Sequence, residues 1–147
     1  MEMEKDNKLL NLSGCFDNII NNKSINDTYE ALCMMDSDVK NYMISVLDSV
    51  IAKEMVRIQN VRRGYNKDLF LYAKMLKNDI LSGDNIERFY FKLLKLYPDF
   101  KNSMKDIIRL EVQKEIENLT NLGFTKRDIQ DDLHPILKEE IYGNGRH

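Results

Sequence analysis

Few residues in this chain are of the types that catalyse reactions or hold metal ions. The only histidines are His134 and His147, and neither stands in an H-x-x-x-H or H-E-x-x-H arrangement. Each glycine stands alone, so no glycine-rich loop is available to bind a phosphate group. We therefore expect no enzymatic activity, no metal and no cofactor. The remaining acidic candidates are two carboxylate pairs that also suit helix starts and solvated faces: Asp36 with Asp38, and Asp131 with Asp132.

The middle of the chain is basic although the formal net charge is only -2. Residues 51–95 hold ten Lys or Arg against five Asp or Glu, whereas residues 1–50 hold four against nine. Such a segment can attract polyanions, since phosphate contacts need cations on one surface but little sequence precision. Alternatively, the acidic first third packs against the basic middle of the same domain. The candidate nucleic-acid-binding residues are Arg57, Arg62, Arg63, Lys67, Lys74, Lys126 and Arg127.

A pattern near the C-terminus is typical of the first half of a helix-turn-helix. Gly123 permits a tight turn and Thr125 can cap the helix that follows. The next helix, which would read bases, carries Glu139 and Glu140, and their charges would be repelled by phosphates. The same turn also joins helices in bundles that bind no nucleic acid, so both interpretations stay open.

Aromatic residues are concentrated between positions 89 and 100. They point in more than one direction around a helix, so a helix with one core-facing side cannot bury them all. The segment is either a central buried helix or a surface that contacts another chain. The candidate partner-binding residues are Phe89, Tyr90, Phe91, Tyr97 and Phe100.

Apolar residues recur every three or four positions along the chain, which predicts an all-α bundle of about six or seven helices. A strand over 88–97 is the one competing possibility, but Leu93-Leu94 breaks the alternation and no second strand could pair with it. Asn66, Asp27, Asp84, Asp99 and Thr125 are the predicted helix caps, and Gly83 and Gly123 the predicted helix ends. The predicted helices cover 9–20 with a break near Gly14, 27–35, 39–63, 67–81, 84–97, 100–121 and 126–133, and a last helical turn or two follows over 136–142.

Length and composition indicate one domain over residues 1–147. Within it, 1–24 forms a loosely attached N-terminal segment and 122–147 a C-terminal helical hairpin and tail. Cys15 and Cys33 are too few for a disulfide framework or a zinc site. No apolar run reaches the ~20 residues that span a bilayer, and the acidic N-terminus does not resemble a secretion signal. We expect a cytoplasmic protein, and the abundance of Asn, Lys and Ile suggests an AT-rich viral or mobile-element source.

These observations favour a non-enzymatic helical protein that acts through protein–protein interaction or self-association. The alternative is a nucleic-acid-binding protein with a transcriptional or packaging role, which would use the basic middle and the C-terminal hairpin. No membrane partner is expected.

Overall fold

The computed structural model describes residues 7–35, 38–60 and 66–143, and these residues form an all-α fold, as predicted. Eight helices and no strand occur in these three ranges, so segment 88–97 is not a strand. The count is slightly higher than six or seven because the segment predicted as a last turn or two, 136–142, forms a separate helix, Pro135–Tyr142. In chain order the helices are α1 (Lys8–Ile20), α2 (Ile25–Met35), α3 (Asp38–Asn60), α4 (Lys67–Ser82), α5 (Glu87–Leu96), α6 (Asp99–Asn121), α7 (Lys126–Gln130) and α8 (Pro135–Tyr142).

The chain divides into two compact units, which are considered one at a time. The central unit comprises residues 24–104 and contains α2 to α5 and the start of α6. The terminal unit comprises residues 1–23 and 105–147 and contains α1, the rest of α6, α7 and α8. That the whole chain forms a single domain stays a prediction. The predictions for Asp36, Arg62, Arg63 and His147 fall outside the described residues.

In the central unit, α3 packs on α4, α4 packs on α5, and α2 contacts both α3 and α5. Asn26 joins the beginnings of two helices: its side-chain Oδ1 accepts from the Ile86 amide at 3.2 Å, and its own amide donates to Glu87 Oε1 at 3.3 Å. Burial of apolar surface supplies most of the stabilisation of such a unit. Its fully buried side chains include Leu32, Met43, Leu47, Ala73, Leu76, Ile86, Tyr90, Leu93 and Phe100.

The boundaries of α4 are those that the sequence predicts. Asn66 is the N-cap, and its side chain accepts a hydrogen bond from the Leu69 amide at 3.0 Å. Gly83 ends the helix in the left-handed region, with φ of 74°, a conformation that side chains disfavour. Asn66 also links α4 to α3, because its backbone amide donates to Glu54 Oε2 at 2.9 Å.

In the terminal unit, α1 buries one side, which includes Leu9, Leu12, Phe16 and Ile19. That residues 1–24 are loosely attached stays a prediction. The helix α1 runs without a break through Gly14, which corrects the predicted interruption. A single glycine inside a helix costs only ~1 kcal/mol relative to alanine, which the burial of the neighbouring apolar side chains offsets. The buried apolar side chains of this unit include Leu9, Leu12, Phe16, Ile19, Ile108, Val112, Leu119, Ile129 and Leu137.

The three predicted acidic caps lie elsewhere, and Asp99 is the first residue of its helix, α6. Asp27 is in the first turn of α2, which begins two residues earlier at Ile25. The helix α5 begins at Glu87, whose amide donates to Asn85 Oδ1 at 2.9 Å, so Asp84 is not its cap. Acidic residues in a first turn still interact favourably with the helix dipole, and sequence spacing alone does not separate that role from a cap.

Candidate partner-binding site

The five aromatic residues predicted to contact a partner do not form one surface. Tyr90 and Phe100 are both 0% exposed, and their rings meet edge to face with centroids 5.9 Å apart. This is a correction: both rings are core side chains and cannot touch a partner while the protein is folded. Phe91 is 37% exposed, and Phe89 and Tyr97 are half-buried.

Phe89 and Phe91 lie on different sides of α5. Successive residues of an α-helix are about 100° apart, so residues two positions apart point in nearly opposite directions. Phe89 shares its side with Lys92 and Leu96, three and seven positions further on. A partner that covers the Phe89 side of α5 therefore does not cover Phe91.

Phe89 belongs to a cluster of rings and cations that we call the aromatic patch, consisting of Tyr72, Arg88, Phe89 and Lys92. The Tyr72 and Phe89 rings stack with centroids 6.3 Å apart and planes at 27°. Lys92 Nζ lies 5.6 Å from the Tyr72 centroid and 5.9 Å from the Phe89 centroid. Arg88 Cζ lies 5.0 Å from the Phe89 centroid. Cations at these distances are attracted to the ring faces, and the patch presents both apolar area and positive charge.

A cleft adjoins the aromatic patch along α4 and α5. This cleft, which we call the Lys95 cleft, has a volume of about 310 Å³ and is lined by Asp68, Tyr72, Lys92, Lys95 and Leu96. Both lysines are exposed. The cleft thus continues the basic and aromatic character of the patch towards the C-terminal end of α5.

A second and larger space, which we call the Glu54 cavity, lies on the other side of Leu96. Its volume is about 360 Å³, within the range typical of ligand pockets. Because Leu96 lines both spaces, the cavity and the cleft are neighbours. The cavity is lined by Val50, Lys53, Glu54, Arg57, Asn66, Leu69, Leu96 and Tyr97.

Glu54 is a buried carboxylate whose two oxygens are both hydrogen-bonded. It is 2% exposed, at a position of α3 that continues the buried series Leu47 and Val50. Its Oε1 accepts from Arg57 Nη1, and its Oε2 accepts from the Asn66 amide at 2.9 Å. Burial of a charge is costly unless it is paired, and these two bonds meet that requirement. Glu54 therefore ties the end of α3 to the N-cap of α4.

The cations predicted to bind nucleic acid are distributed over different parts of the fold. Arg57 lines the Glu54 cavity, and Lys67 is exposed at the start of α4. Lys74, also exposed, lies over the Phe70 ring with Nζ 5.2 Å from the centroid. Lys126 and Arg127 belong to the terminal unit, where Lys126 Nζ lies 4.8 Å from the Tyr142 centroid.

The sequence analysis missed several residues of the candidate site, although three of them could have been recognised from their spacing in the sequence. Lys92 and Leu96 follow Phe89 at helical spacing, which assigns them to one side of α5. Glu54 follows Val50 by four positions on the apolar stripe of α3, so a carboxylate at a core position was visible. Tyr72 carried no such signal, because its stacking on Phe89 depends on how α4 and α5 pack.

The terminal unit brings together the residue types of a catalytic triad, but not its geometry. Ser13 Oγ donates to the Asp132 carbonyl at 2.9 Å and accepts from the His134 amide at 3.0 Å. The His134 ring accepts from the Ile136 amide through Nδ1 and lies 3.3 Å from Asp17 Oδ1 through Nε2. Since the imidazole makes no bond to the serine hydroxyl, it cannot act as its base here. His134 is the N-cap of α8, the role that its position before Pro135 predicts.

The buried thiol of Cys15 is also poorly suited to nucleophilic chemistry. Burial raises the pKa of the Cys15 thiol to about 11, so the nucleophilic thiolate is scarce at neutral pH. Within the described ranges, no three His, Cys, Asp or Glu residues are grouped so as to hold a metal ion. Among the same residues, no helix combines the length and apolar character needed to cross a bilayer.

Comparisons with known protein families, curated proteins and solved structures gave no match to this chain.

Proposed function

We propose that this is a non-enzymatic interaction protein whose central unit docks a partner protein over the aromatic patch and the two spaces beside Leu96. The observation that carries the proposal is the position of Leu96, which lines both the Glu54 cavity and the Lys95 cleft. Apolar and aromatic side chains are thereby neighbours along one side of α5. Exposed cations lie among them.

This arrangement has the composition of a protein-binding surface. Such surfaces combine aromatic and apolar anchors with charged residues at the margin, and a few anchors supply most of the binding free energy. Phe89 and Tyr97 are half-buried, so their rings are held in place while part of each stays accessible. Side chains already fixed in position lose less entropy when they bind.

The first test compares two phenylalanines of the same helix. The ligand is a fluorescent amphipathic helical peptide of about five turns, with leucines along one face and glutamates on the other. We expect Phe89→Ala to weaken its binding by at least about tenfold, equivalent to ~1.4 kcal/mol. Phe91→Ala, on the other side of α5, is the matched control and should change the affinity less than about twofold. Equal effects of the two substitutions, or no binding by the unchanged protein, would contradict the proposal.

Nucleic-acid binding is the second candidate function, and the Tyr72–Phe89 stack with Lys92 beside it favours this alternative. Bases of single-stranded nucleic acids stack on exposed rings while cations contact the phosphates. Titration with a single-stranded and a duplex oligonucleotide at low and high salt tests it. Binding that weakens steeply with salt and is lost in Phe89→Ala would support this function. No binding at low salt would exclude it.

A further inference from the structure

We propose that the Glu54 cavity is the anchor pocket for an acidic partner segment, receiving one carboxylate beside an apolar side chain. This inference rests on the proposed protein-binding function and specifies the chemistry of the partner. It is supported by the lining of the cavity, which combines an arginine bonded to Glu54, an exposed lysine and several apolar side chains.

The apolar part of the cavity consists of Val50, Leu69, Leu96 and Tyr97. Val50 and Leu69 are buried, whereas Leu96 and Tyr97 are half-buried and so remain partly accessible from solvent. Such a floor gains free energy when it covers an aliphatic or aromatic group, by about 25 cal/mol for each Å² of apolar area removed from water. A small inorganic anion would leave this area uncovered.

Arg57 supplies a cation that is already oriented. One of its nitrogens, Nη1, donates to Glu54, and 52% of the side chain is exposed. A guanidinium has five N–H donors in a rigid plane, so donors remain for a second carboxylate. Because Glu54 is buried and bonded through both oxygens, it holds the arginine in place and is shielded from an incoming ligand.

Two further groups favour an anion in the same space. Lys53 is exposed, lines the cavity and adds a second cation. Asn66 lines the cavity as the N-cap of α4, a helix of 16 residues whose N-terminus carries partial positive charge. The cavity thus has two cationic side chains, Lys53 and Arg57, and one carboxylate, Glu54. A ligand that brings one negative charge and one apolar group matches both halves of the cavity.

The Lys95 cleft, which shares Leu96 with the cavity, also favours a negatively charged ligand. Lys92 and Lys95 line it together with the single carboxylate of Asp68. A partner segment that anchors in the Glu54 cavity and continues past Leu96 meets cations on both sides. We therefore commit to an acidic segment of a partner protein as the occupant, with apolar residues spaced to contact Leu69, Leu96 and Phe89.

The test uses two amphipathic peptides of the same length and apolar pattern, one with glutamates on its polar face and one with glutamines at the same positions. We expect the glutamate peptide to bind the full-length protein at least about tenfold more tightly at low salt. This preference should fall to about twofold or less in Arg57→Gln and in Lys53→Gln. Lys74→Gln also removes one positive charge, but Lys74 lines neither the Glu54 cavity nor the Lys95 cleft. This variant should leave the preference for the glutamate peptide unchanged.

Two control measurements distinguish a loss of the binding pocket from a disturbed fold. Thermal unfolding of each variant shows whether Arg57→Gln disturbs the fold, and Lys53→Gln tests the pocket independently because Lys53 is exposed. If both peptides bind equally and both need Phe89, the anchor pocket is wrong while the proposed function stands. If neither peptide binds, the proposed function fails as well. Displacement of the peptide by inorganic phosphate at similar concentration would overturn the acidic segment as the occupant.

Discussion

Phe16 and Phe89 each contact an aromatic ring and a cation, but Phe16 is fully buried whereas Phe89 is only half-buried. In the terminal unit, Phe16 is fully buried, meets the His134 ring edge to face at 5.3 Å, and has Arg109 Cζ 5.5 Å from its centroid. In the central unit, Phe89 is half-buried, stacks on Tyr72, and has two cations over its face. Each ring thus has one ring partner and at least one cation.

The difference lies in what holds the cation. Arg109 forms a bidentate pair with Glu140, with Nε to Oε1 at 2.8 Å and Nη2 to Oε2 at 2.9 Å, and a third bond to Asp106 at 2.9 Å. Lys92 is exposed, and its ammonium group lies over the Tyr72 and Phe89 rings. The structure shows no bond from it to a carboxylate of the described residues. A cation already bonded through several donors stabilises the fold. A cation on an exposed ring is available to a ligand.

The largest effect predicted by this comparison is on stability. Phe16→Ala should lower the free energy of unfolding by about 3–5 kcal/mol, because it leaves a cavity in the core. Phe89→Ala should lower it by less, about 1–2 kcal/mol, since this ring is only half-buried. Urea denaturation of both variants measures the two values. Similar losses would mean that the Phe89 ring is part of the core, which would remove the aromatic patch from consideration as a binding surface.

A smaller effect on stability is expected when the two cations, Arg109 and Lys92, are replaced. Arg109→Met should destabilise the protein by about 1 kcal/mol at neutral pH, a figure kept low because both partners are partly exposed. Lys92→Met should change stability by less than about 0.5 kcal/mol. Urea denaturation at neutral pH gives both values. A larger loss from Lys92→Met than from Arg109→Met would reverse the comparison.

The effect of Arg109 should also depend on pH in a defined direction. Hydrogen bonds from Arg109 lower the pKa of Glu140 from its ordinary value of 4.5. A group whose folded pKa is lowered contributes stability above its ordinary pKa and loses it as the pH falls through the folded value. The difference between the original protein and Arg109→Met should therefore be largest above pH 4.5 and shrink below it. A difference that grows on acidification would contradict this assignment.

Local parts of the fold could be predicted from the sequence because their determinants are neighbours in the chain. Asn66 and Gly83 bound α4 as expected, and Thr125 with Asp128 forms the expected capping box at α7. Each of these motifs is decided within three or four residues by hydrogen bonds to backbone amides or by backbone conformation.

The site could be predicted only in part because it depends on how helices pack. The sequence analysis named Phe89 and Tyr97 as partner-binding candidates and Arg57 as a nucleic-acid-binding candidate. It also named Tyr90 and Phe100, which are buried. Aromatic content does not reveal which side of α5 faces the core; that depends on how α5 packs against its neighbours. The bond from the Asn66 amide to Glu54 spans 12 residues, and it forms only when the end of α3 meets the start of α4. Charge counting found the basic middle but not the carboxylate that orients Arg57.

The last predicted effect compares two residues with buried hydroxyl groups, Ser13 and Tyr90. Ser13 in the terminal unit donates one hydrogen bond and accepts another, so Ser13→Ala should cost about 1 kcal/mol of stability. Tyr90 in the central unit is buried, and its hydroxyl has no hydrogen-bond partner among the described residues. The same burial raises the pKa of Tyr90, because an ionised phenolate would be poorly solvated there.

Removing an unpaired buried hydroxyl relieves a desolvation penalty without breaking a bond. Tyr90→Phe should therefore leave stability unchanged or raise it by up to about 1 kcal/mol, as measured by urea denaturation beside Ser13→Ala. A loss of more than about 1 kcal/mol would show that the hydroxyl is bonded in solution. The buried hydroxyls of Tyr90 and Ser13 would then both be hydrogen-bonded. The contrast between the two units would be confined to the exposed cations around Phe89 and Leu96.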